Sequence, residues 1–525
     1  MQLKIKTNNK LTRFKALALN LDDSANIFDN NSIDDFVELR DSLKNKGIKI
    51  VYFSNNQNDN QIDLQKSLSH LGLMSSIEDI YVVSTSQKQL SLAKILGINE
   101  NELVVVSKSL DALENAITFN NLPVFISQKE DFFRNDVVVT DNILTLKYLF
   151  DLLANDGILK LLSFADSGTM RKNILDPHLT NLTNLKEVYV FGARQLGEKI
   201  ANQLIEAGIE VLGFIDNDTT KQGNTLIDKS IMPLDMVKDK NAVFIIASQY
   251  LYDISTQLED FGYKNHIPYP LLSLFDRSTF PPEWSYNNMQ EDLIDNKYRY
   301  FSLFINLADN KSRDVLSGLI NFRLTLNPFY TQSVSDSINH LYFNEITLPL
   351  SNNEVFVDGG GFDGETTLQF IENVPGTYKV FFFEPDPKLF DRCKLNLSEY
   401  GNIHFVNKGL FSKEKTLRFC TTGEMDGCIN ELGDLEIDVV DLDSWIDNKI
   451  TFIKLDVEGA EAETINGAVN HIVNDKPKMA IALCHKSKDL WSIASLINSI
   501  DANYKFYLRH YSQTAIETNL YCIPI

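Results

Sequence analysis

The sequence predicts an α/β protein made of three successive α/β units. Three observations lead to that class. Short β-rich apolar runs alternate with helix-like stretches, the pattern of a parallel sheet covered by helices. This strand, turn and helix pattern restarts three times. Two of the restarts carry a glycine turn directly after an apolar run, at Gly192–Gly197 and Gly359–Gly364.

Size and charge agree with this class. A chain of 525 residues with 44% hydrophobic content has material for several cores, at about 150 residues per domain. The formal net charge of -22 argues against nucleic acid or an anionic membrane surface as the main partner, since both require basic stripes. The first residues lack the apolar stretch and small-residue site of a signal peptide. No run of eighteen or more apolar residues suggests a membrane span. The five cysteines, Cys393, Cys420, Cys428, Cys484 and Cys522, form no CxxC pair. They read as reduced thiols of a cytoplasmic protein.

The first unit, residues 1–127, contains the strand-like runs "FKALALNLDDS", "IKIVYFSNN" and "ELVVVS". A helical connector is expected over 128–185. The second unit, 186–275, opens as a compact βαβ element, "EVYVFGARQLGEKIANQLIEAGIEVLGFIDND". Its turn reads Gly192-x-Arg194-x-x-Gly197, with arginine where a dinucleotide loop needs its second glycine. Asp216 stands where a ribose-binding acid would be. Residues 276–345 begin with a Pro-Pro break and carry Phe301, Leu303, Phe304 and Leu307 at near-helical spacing, as expected for a helical connector or cap. The third unit spans 346–525.

The third unit holds the chemistry. Four of its strands are expected to end near Asp358, Glu384, Asp456 and His485. In an open α/β sheet, ligands sit outside the carboxyl ends of the strands, so these residues should share one crevice. The turn "FVDGGGFDGETT" supplies Gly360, Gly361 and Gly364 for a tight bend and close backbone approach. Asp358, Asp363 and Glu365 stand in or beside it. A pyrophosphate would avoid these carboxylates, and no GxxxxGK[ST] motif is present. S-adenosylmethionine fits better, because it lacks phosphate and carries an ammonium and a sulfonium. Glu384 suits a bidentate grip on a ribose diol.

The stretches "EVFVDGGGFDGETT", "VFFFEPDPKLF", "ITFIKLDVEGAEAETINGA" and "YKFYLRHYSQTAIETNLYC" together resemble the FkbM-type methyltransferases. The upstream "NKSRDVLSGLINFRLT" and "HLYF" are similar to the lead-in of some members. The resemblance covers about 297–525. It implies a Rossmann-like class I methyltransferase fold with a seven-stranded sheet, and S-adenosyl-L-methionine as cofactor. It places Asp358, Gly360, Gly361, Phe362, Gly364, Glu384 and Asp456 at the cofactor. Asp456, Glu458 and Gly459 match the D-x-E-G signature. Asp456, Glu458 and His485 are the catalytic candidates, with His510 a further candidate base. No metal site is assigned.

The implied reaction is O-methylation of a sugar, glycan or sugar-nucleotide hydroxyl in surface polysaccharide biosynthesis. Two alternatives stay open: a multi-module binding or assembly protein with little turnover, and a nicotinamide-dependent sugar-nucleotide enzyme using the middle unit. The middle unit resembles a small Rossmann-like domain that precedes some sugar-modifying enzymes. The first unit resembles a haloacid-dehalogenase-type phosphatase with a broken site. Asn20 replaces its nucleophile, followed by Asp22; Ser54 and Lys88 or Lys94 stand at later motifs, and Ser107 and Lys108 where acids are needed. An amide cannot form an aspartyl-phosphate, so no phosphatase activity is expected. The first two units could support a homo-oligomer.

Overall fold

A computed structural model describes residues 14–20, 32–53, 92–126, 136–140, 142–420, 428–429, 433 and 435–525. Asp22, Ser54 and Lys88 lie outside the described residues. The chain divides into one unit of 1–164 with 293–307, and a second of 165–292 with 308–525.

In the first unit, β1 (Ala16–Asn20), β2 (Lys49–Phe53), β3 (Leu103–Ser107), β4 (Leu122–Ile126) and β5 (Val138–Thr140) form a sheet in the order β2-β1-β3-β4-β5. All its pairings are parallel. The strands are apolar almost throughout because both faces are covered. Strand β5 lies in the stretch expected as a helical connector. Helix Lys297–Asn306 sits beside it: Val139 N–H donates to Ser302 Oγ at 2.8 Å, and Asn306 Nδ2 donates to Val139 O at 3.2 Å. Asn20 is buried at the end of β1, and its amide donates to Ser107 Oγ at the end of β3. Amide and hydroxyl thus meet where the resemblance would require acids.

The second unit contains two larger sheets. The middle one comprises β6 (Glu187–Phe191), β7 (Glu210–Ile215), β8 (Thr225–Leu226), β9 (Lys229–Met232), β10 (Phe244–Ile246) and β11 (His266–Pro268), ordered β11-β10-β6-β7-β9-β8. The other has β12 (Asn353–Gly359), β13 (Thr377–Phe383), β14 (Ile403–Val406), β19 (Phe452–Leu455), β20 (Lys478–Ala482), β21 (Tyr504–His510) and β22 (Thr518–Pro524). Its order is β14-β13-β12-β19-β20-β22-β21, with β22 antiparallel to both neighbours. The strand order reverses between β12 and β19, which opens a crevice at their carboxyl ends. This is the expected seven-stranded Rossmann-like sheet.

Between β14 and β19 the chain adds a small sheet that the sequence pattern did not suggest. It consists of β15 (Gly409–Leu410), β16 (Lys415–Cys420), β17 (Cys428–Ile429) and β18 (Leu435–Val440). Its strands are short and alternate apolar with polar residues, so each one alone reads as a loop.

An aromatic core holds the main sheet. Phe356 stacks on Phe370 with centroids 4.4 Å apart, and Phe343 meets Phe452 edge to face. Buried Arg509 binds Asp309 at 2.8 Å and Glu345 at 3.0 Å, tying β21 to the start of helix Asn310–Thr325. Asp309 also caps that helix by accepting from Ser312 N.

Candidate active site

A cavity of about 300 Å³ lies at the carboxyl ends of β12, β13 and β19. Its walls include Gly360, Gly361, Phe362, Glu384, Asp456 and Glu458. Asp358, Gly364 and His485 support these residues and do not line the cavity. The apolar side comes from Leu389 together with Leu410, Phe419, Ile437 and Val439 of the small sheet.

The glycine turn is shaped by the protein's own packing. Gly360 has φ +74°, and a Cβ there would meet Asp456 O at 1.8 Å. A Cβ on Gly361 would strike the Phe382 ring at 2.1 Å. The bare backbone lets the turn press against the ends of β19 and β13. Phe362 follows with φ +50°, rare for a bulky residue.

Glu384 fixes this turn from the next strand. Its Oε2 accepts from Phe362 N at 3.0 Å and its Oε1 from Asp386 N at 2.9 Å. Burial pushes the carboxyl up to about 7. Each oxygen keeps a lone pair for a further donor, which suits a vicinal diol.

Asp358 has another occupation. The register of β12 and β19 sets it beside Lys454. Both are buried, with Lys454 Nζ 3.2 Å from Asp358 Oδ1. Thr367 Oγ1 donates to Asp358 Oδ2 at 2.7 Å, and Lys454 also donates to Gly360 O at 2.6 Å. Burial works against the ammonium, but Asp358 and Asp456 outweigh it and raise the lysine's pKa. The charge of Asp358 therefore meets a lysine under the turn. Lys454 was passed over in the sequence because it sits inside an otherwise apolar strand.

The acidic wall is formed by residues further along the chain. Asp456 Oδ2 accepts from Tyr342 OH at 2.7 Å, and Asp456 Oδ1 lies 3.5 Å from His485 Nε2. Burial favours the neutral acid at Asp456, yet Lys454 and His485 outweigh it and hold the group below its usual range. His485 Nε2 is also 3.2 Å from Glu458 Oε2, and its Nδ1 is 2.9 Å from Glu461 Oε1. Burial works against its charge, but Glu461 leads the groups that overcome it and raise the imidazole well above its ordinary value. His485 is thus held as a cation, the wrong state for the base expected of it. Asp456, Glu461 and His485 offer ligand atoms within 4.8 Å of one another, a spacing a divalent ion could use.

His510, the other candidate base, is buried in the β21–β22 hairpin beside Thr518 Oγ1 at 2.8 Å. Burial lowers it to about 4. Besides Lys454, the cavity residues Tyr342 and Glu517 were missed. Both lie in quoted stretches, "HLYF" and the C-terminal tail, but only the fold brings them to Asp456. Tyr342 is held from below: its N–H donates to Tyr521 OH at 3.2 Å, and Thr347 Oγ1 donates to its carbonyl. Tyr342, Phe362, Glu458 and Glu517 all have positive φ. Such strain persists where surrounding packing enforces it.

These groups set a stability profile. Glu384 and Glu517, with ordinary value 4.5, and Asp489, with 3.8, are all raised by burial to about 7. Together with His485, they make the folded state bind more protons than the unfolded chain between those values. Stability should therefore fall as pH rises from about 5 to 8. His178, His266, His404 and His510, all lowered from 6.5 by burial, act oppositely around and below that value, while Glu458, also raised by burial, adds to the first group. Calorimetry should give a melting temperature a few degrees higher at pH 6 than at pH 8; a higher value at pH 8 would contradict these assignments.

The middle sheet presents a different turn. Gly192 has φ +117°, and a Cβ on it would meet Ala247 O. Asp216 Oδ2 accepts from Ala193 N and Lys221 Nζ, both at 2.9 Å, and its Oδ1 from Asp218 N. The acid at the ribose position is already engaged by its own loops. Arg194 is exposed at the head of helix Gln195–Glu206.

Comparison with known proteins follows this geometry. Residues 358–506 match the family described as methyltransferase FkbM domain. Residues 184–267 match one described as C2185-like, N-terminal. The crystal structure of a methyltransferase FkbM from Methylobacillus flagellatus KT superposes with a TM-score of 0.56 at 24% identity, covering 72% of this chain and 98% of that chain. At this identity the likeness shows the fold. A protein described as an rRNA-methylase candidate from Clostridium thermocellum aligns at a TM-score of 0.25 and 12% identity, over 34% of this chain and 90% of that one; it carries no further weight. No curated protein matches the chain. No helix among the described residues is long and apolar enough to cross a membrane.

Proposed function

With an FkbM methyltransferase domain at residues 358–506 as the premise, we propose that the protein is an S-adenosylmethionine-dependent O-methyltransferase acting on a hydroxyl of a sugar, glycan or sugar nucleotide. The observation that carries this reading is the cavity itself. It joins a glycine turn and buried Glu384 on one side to the Asp456–Glu458 wall on the other.

The residues present fit the donor. Glu384 offers lone pairs to a ribose diol, and the turn around Gly360 and Gly361 offers close backbone approach. Leu389 and the apolar small-sheet residues suit a flat adenine ring. The carboxylates of Asp456 and Glu458 suit an ammonium and a sulfonium. When bound, S-adenosylmethionine supplies an electrophilic methyl group on that sulfonium. The chain's own part is to align the acceptor oxygen with the methyl group and to keep water out. Tyr342 and His485 hold Asp456 in place, and His485 also holds Glu458. The same acidic wall repels phosphate near the reacting centre. The reactive hydroxyl therefore belongs on a neutral ring, with any phosphate kept at a distance.

Two alternatives receive less support. The Asp216 carboxylate is occupied by Ala193 N–H, Asp218 N–H and Lys221, which disfavours a nicotinamide enzyme built on the middle sheet. The first unit ends β1 on Asn20, hydrogen-bonded to Ser107, and we assign it no phosphatase chemistry. A role in recruiting partners or in self-association, in a cytoplasmic polysaccharide pathway, fits these two units.

The reading is tested by incubating the protein with methyl-labelled S-adenosylmethionine and a panel of nucleotide sugars and oligosaccharides. Label should appear as a methyl ether on a sugar ring. Transfer to protein or RNA under the same conditions, with none to carbohydrate, would overturn the acceptor assignment.

A further inference from the structure

The proposed reaction needs a group to take the proton of the acceptor hydroxyl, and the three catalytic candidates are poorly suited to it. Asp456 is hydrogen-bonded by Tyr342 and held acidic by Lys454 and His485. Glu458 faces the His485 cation. Both ring nitrogens of His485 are engaged, Nε2 beside Asp456 and Glu458 and Nδ1 beside Glu461.

Glu517 differs from all three. It lies in the turn between β21 and β22 with φ +58° and lines the same cavity as Asp456. Only its backbone is tied down, through Tyr511 N–H to Glu517 O at 2.9 Å. Among the described residues, no hydrogen bond or ion pair engages its carboxyl. The groups facing it are Asp456 and Glu458 after β19, His485 and Cys484 after β20, and Tyr342 before β12. A carboxyl in a cavity wall with no partner of its own is available to a ligand.

We propose that Glu517 is the general base that receives the acceptor's hydroxyl proton. This rests on the methyltransferase reading above. The proton passes from the acceptor oxygen to a Glu517 carboxylate oxygen. A lone pair on that acceptor oxygen forms the new O–CH3 bond, and the C–S electron pair returns to sulfur, leaving a neutral thioether. Burial, reinforced by repulsion from Asp456, raises the Glu517 carboxyl to about 7, close to the value at which a base works best near neutral pH. The turn that carries Glu517 is clamped at its other side. Gln513 accepts from Tyr252 N at 2.9 Å, donates to Asp253 Oδ2 at 2.7 Å, and its carbonyl accepts from Thr331 Oγ1. The base is thereby fixed in place without its own carboxyl being consumed.

The test compares wild type with Glu517→Gln, which preserves shape. Calorimetric titrations use S-adenosylhomocysteine and sinefungin, whose amine replaces the methylated sulfonium, from pH 5.5 to 8.5. S-adenosylhomocysteine should bind both proteins equally. Sinefungin should gain about tenfold over S-adenosylhomocysteine in wild type as pH rises through 7, by a charge-assisted contact, and Glu517→Gln should lose that gain. At saturating donor, methyl transfer by the variant should fall about 100-fold or more, and the acid limb of kcat near pH 7 should vanish. An unchanged sinefungin preference, or weaker S-adenosylhomocysteine binding by the variant, would overturn the base assignment. Failure of wild type to bind S-adenosylhomocysteine would instead overturn the donor reading beneath it.

Discussion

Replacing Lys454 with alanine should destabilise the second unit by about 3–5 kcal/mol, the cost of leaving a buried carboxylate without its partner. Lys454 is 2% exposed and Asp358 is fully buried, so water cannot replace the ammonium. Asp358 would keep only the Thr367 hydroxyl, and Gly360 O would lose its donor. A melting temperature lower by about 10 °C is expected. The lysine's pKa is raised from 10.5. Its stabilising contribution is therefore complete below that value and lost only as pH rises through the folded value. The gap between wild type and variant should stay constant from pH 6 to 9. Adding Asp358→Asn to Lys454→Met should recover most of the loss, since neither buried charge then remains. A loss under about 1 kcal/mol would mean that the pair is solvated, as exposed pairs are.

Replacing Glu384 with alanine should weaken S-adenosylhomocysteine binding by about 100-fold or more. Two hydrogen bonds to a charged group are each worth about 1.5–3 kcal/mol, and tenfold in affinity corresponds to about 1.4 kcal/mol. The same change releases Phe362 N–H and Asp386 N–H from their shared acceptor, so the turn loses its anchor together with the ligand contact. Glu384→Gln separates the two effects. It keeps the size but leaves one acceptor oxygen, and its NH2 group would face a backbone N–H. Binding by wild type should weaken as pH falls through about 7, where burial makes the carboxyl take up a proton. That pH dependence should be absent from both variants. Unaltered affinity in Glu384→Ala would remove the ribose assignment.

The parts of the fold legible in the sequence were those governed by local pattern. Apolar runs gave the strands of three sheets, and "FVDGGGFDGETT" marked the turn because glycine alone tolerates the contacts at Gly360 and Gly361. Asp456 and Glu384 could be found because each directly follows a buried strand. Lys454 could not be, since a lysine inside an apolar strand looks like an interruption until the register sets it beside Asp358. Tyr342 and Glu517 come from opposite ends of the domain and meet Asp456 only in three dimensions. The charges of the glycine turn also changed meaning. Asp358 faces inward to a lysine, while Asp363 and Glu365 of the turn line the cavity together with Asp456, Glu458 and Glu517. His485 fits a base by residue type, but three surrounding carboxylates keep it protonated.

The most direct measurement is a calorimetric titration of the full chain with S-adenosylhomocysteine at pH 8, where Glu384 is ionised. One molecule should bind per chain, with a dissociation constant in the micromolar range, about -8 kcal/mol. Absence of binding at millimolar concentration would contradict the central claim that the cavity beneath the Gly360–Gly361 turn receives the methyl donor.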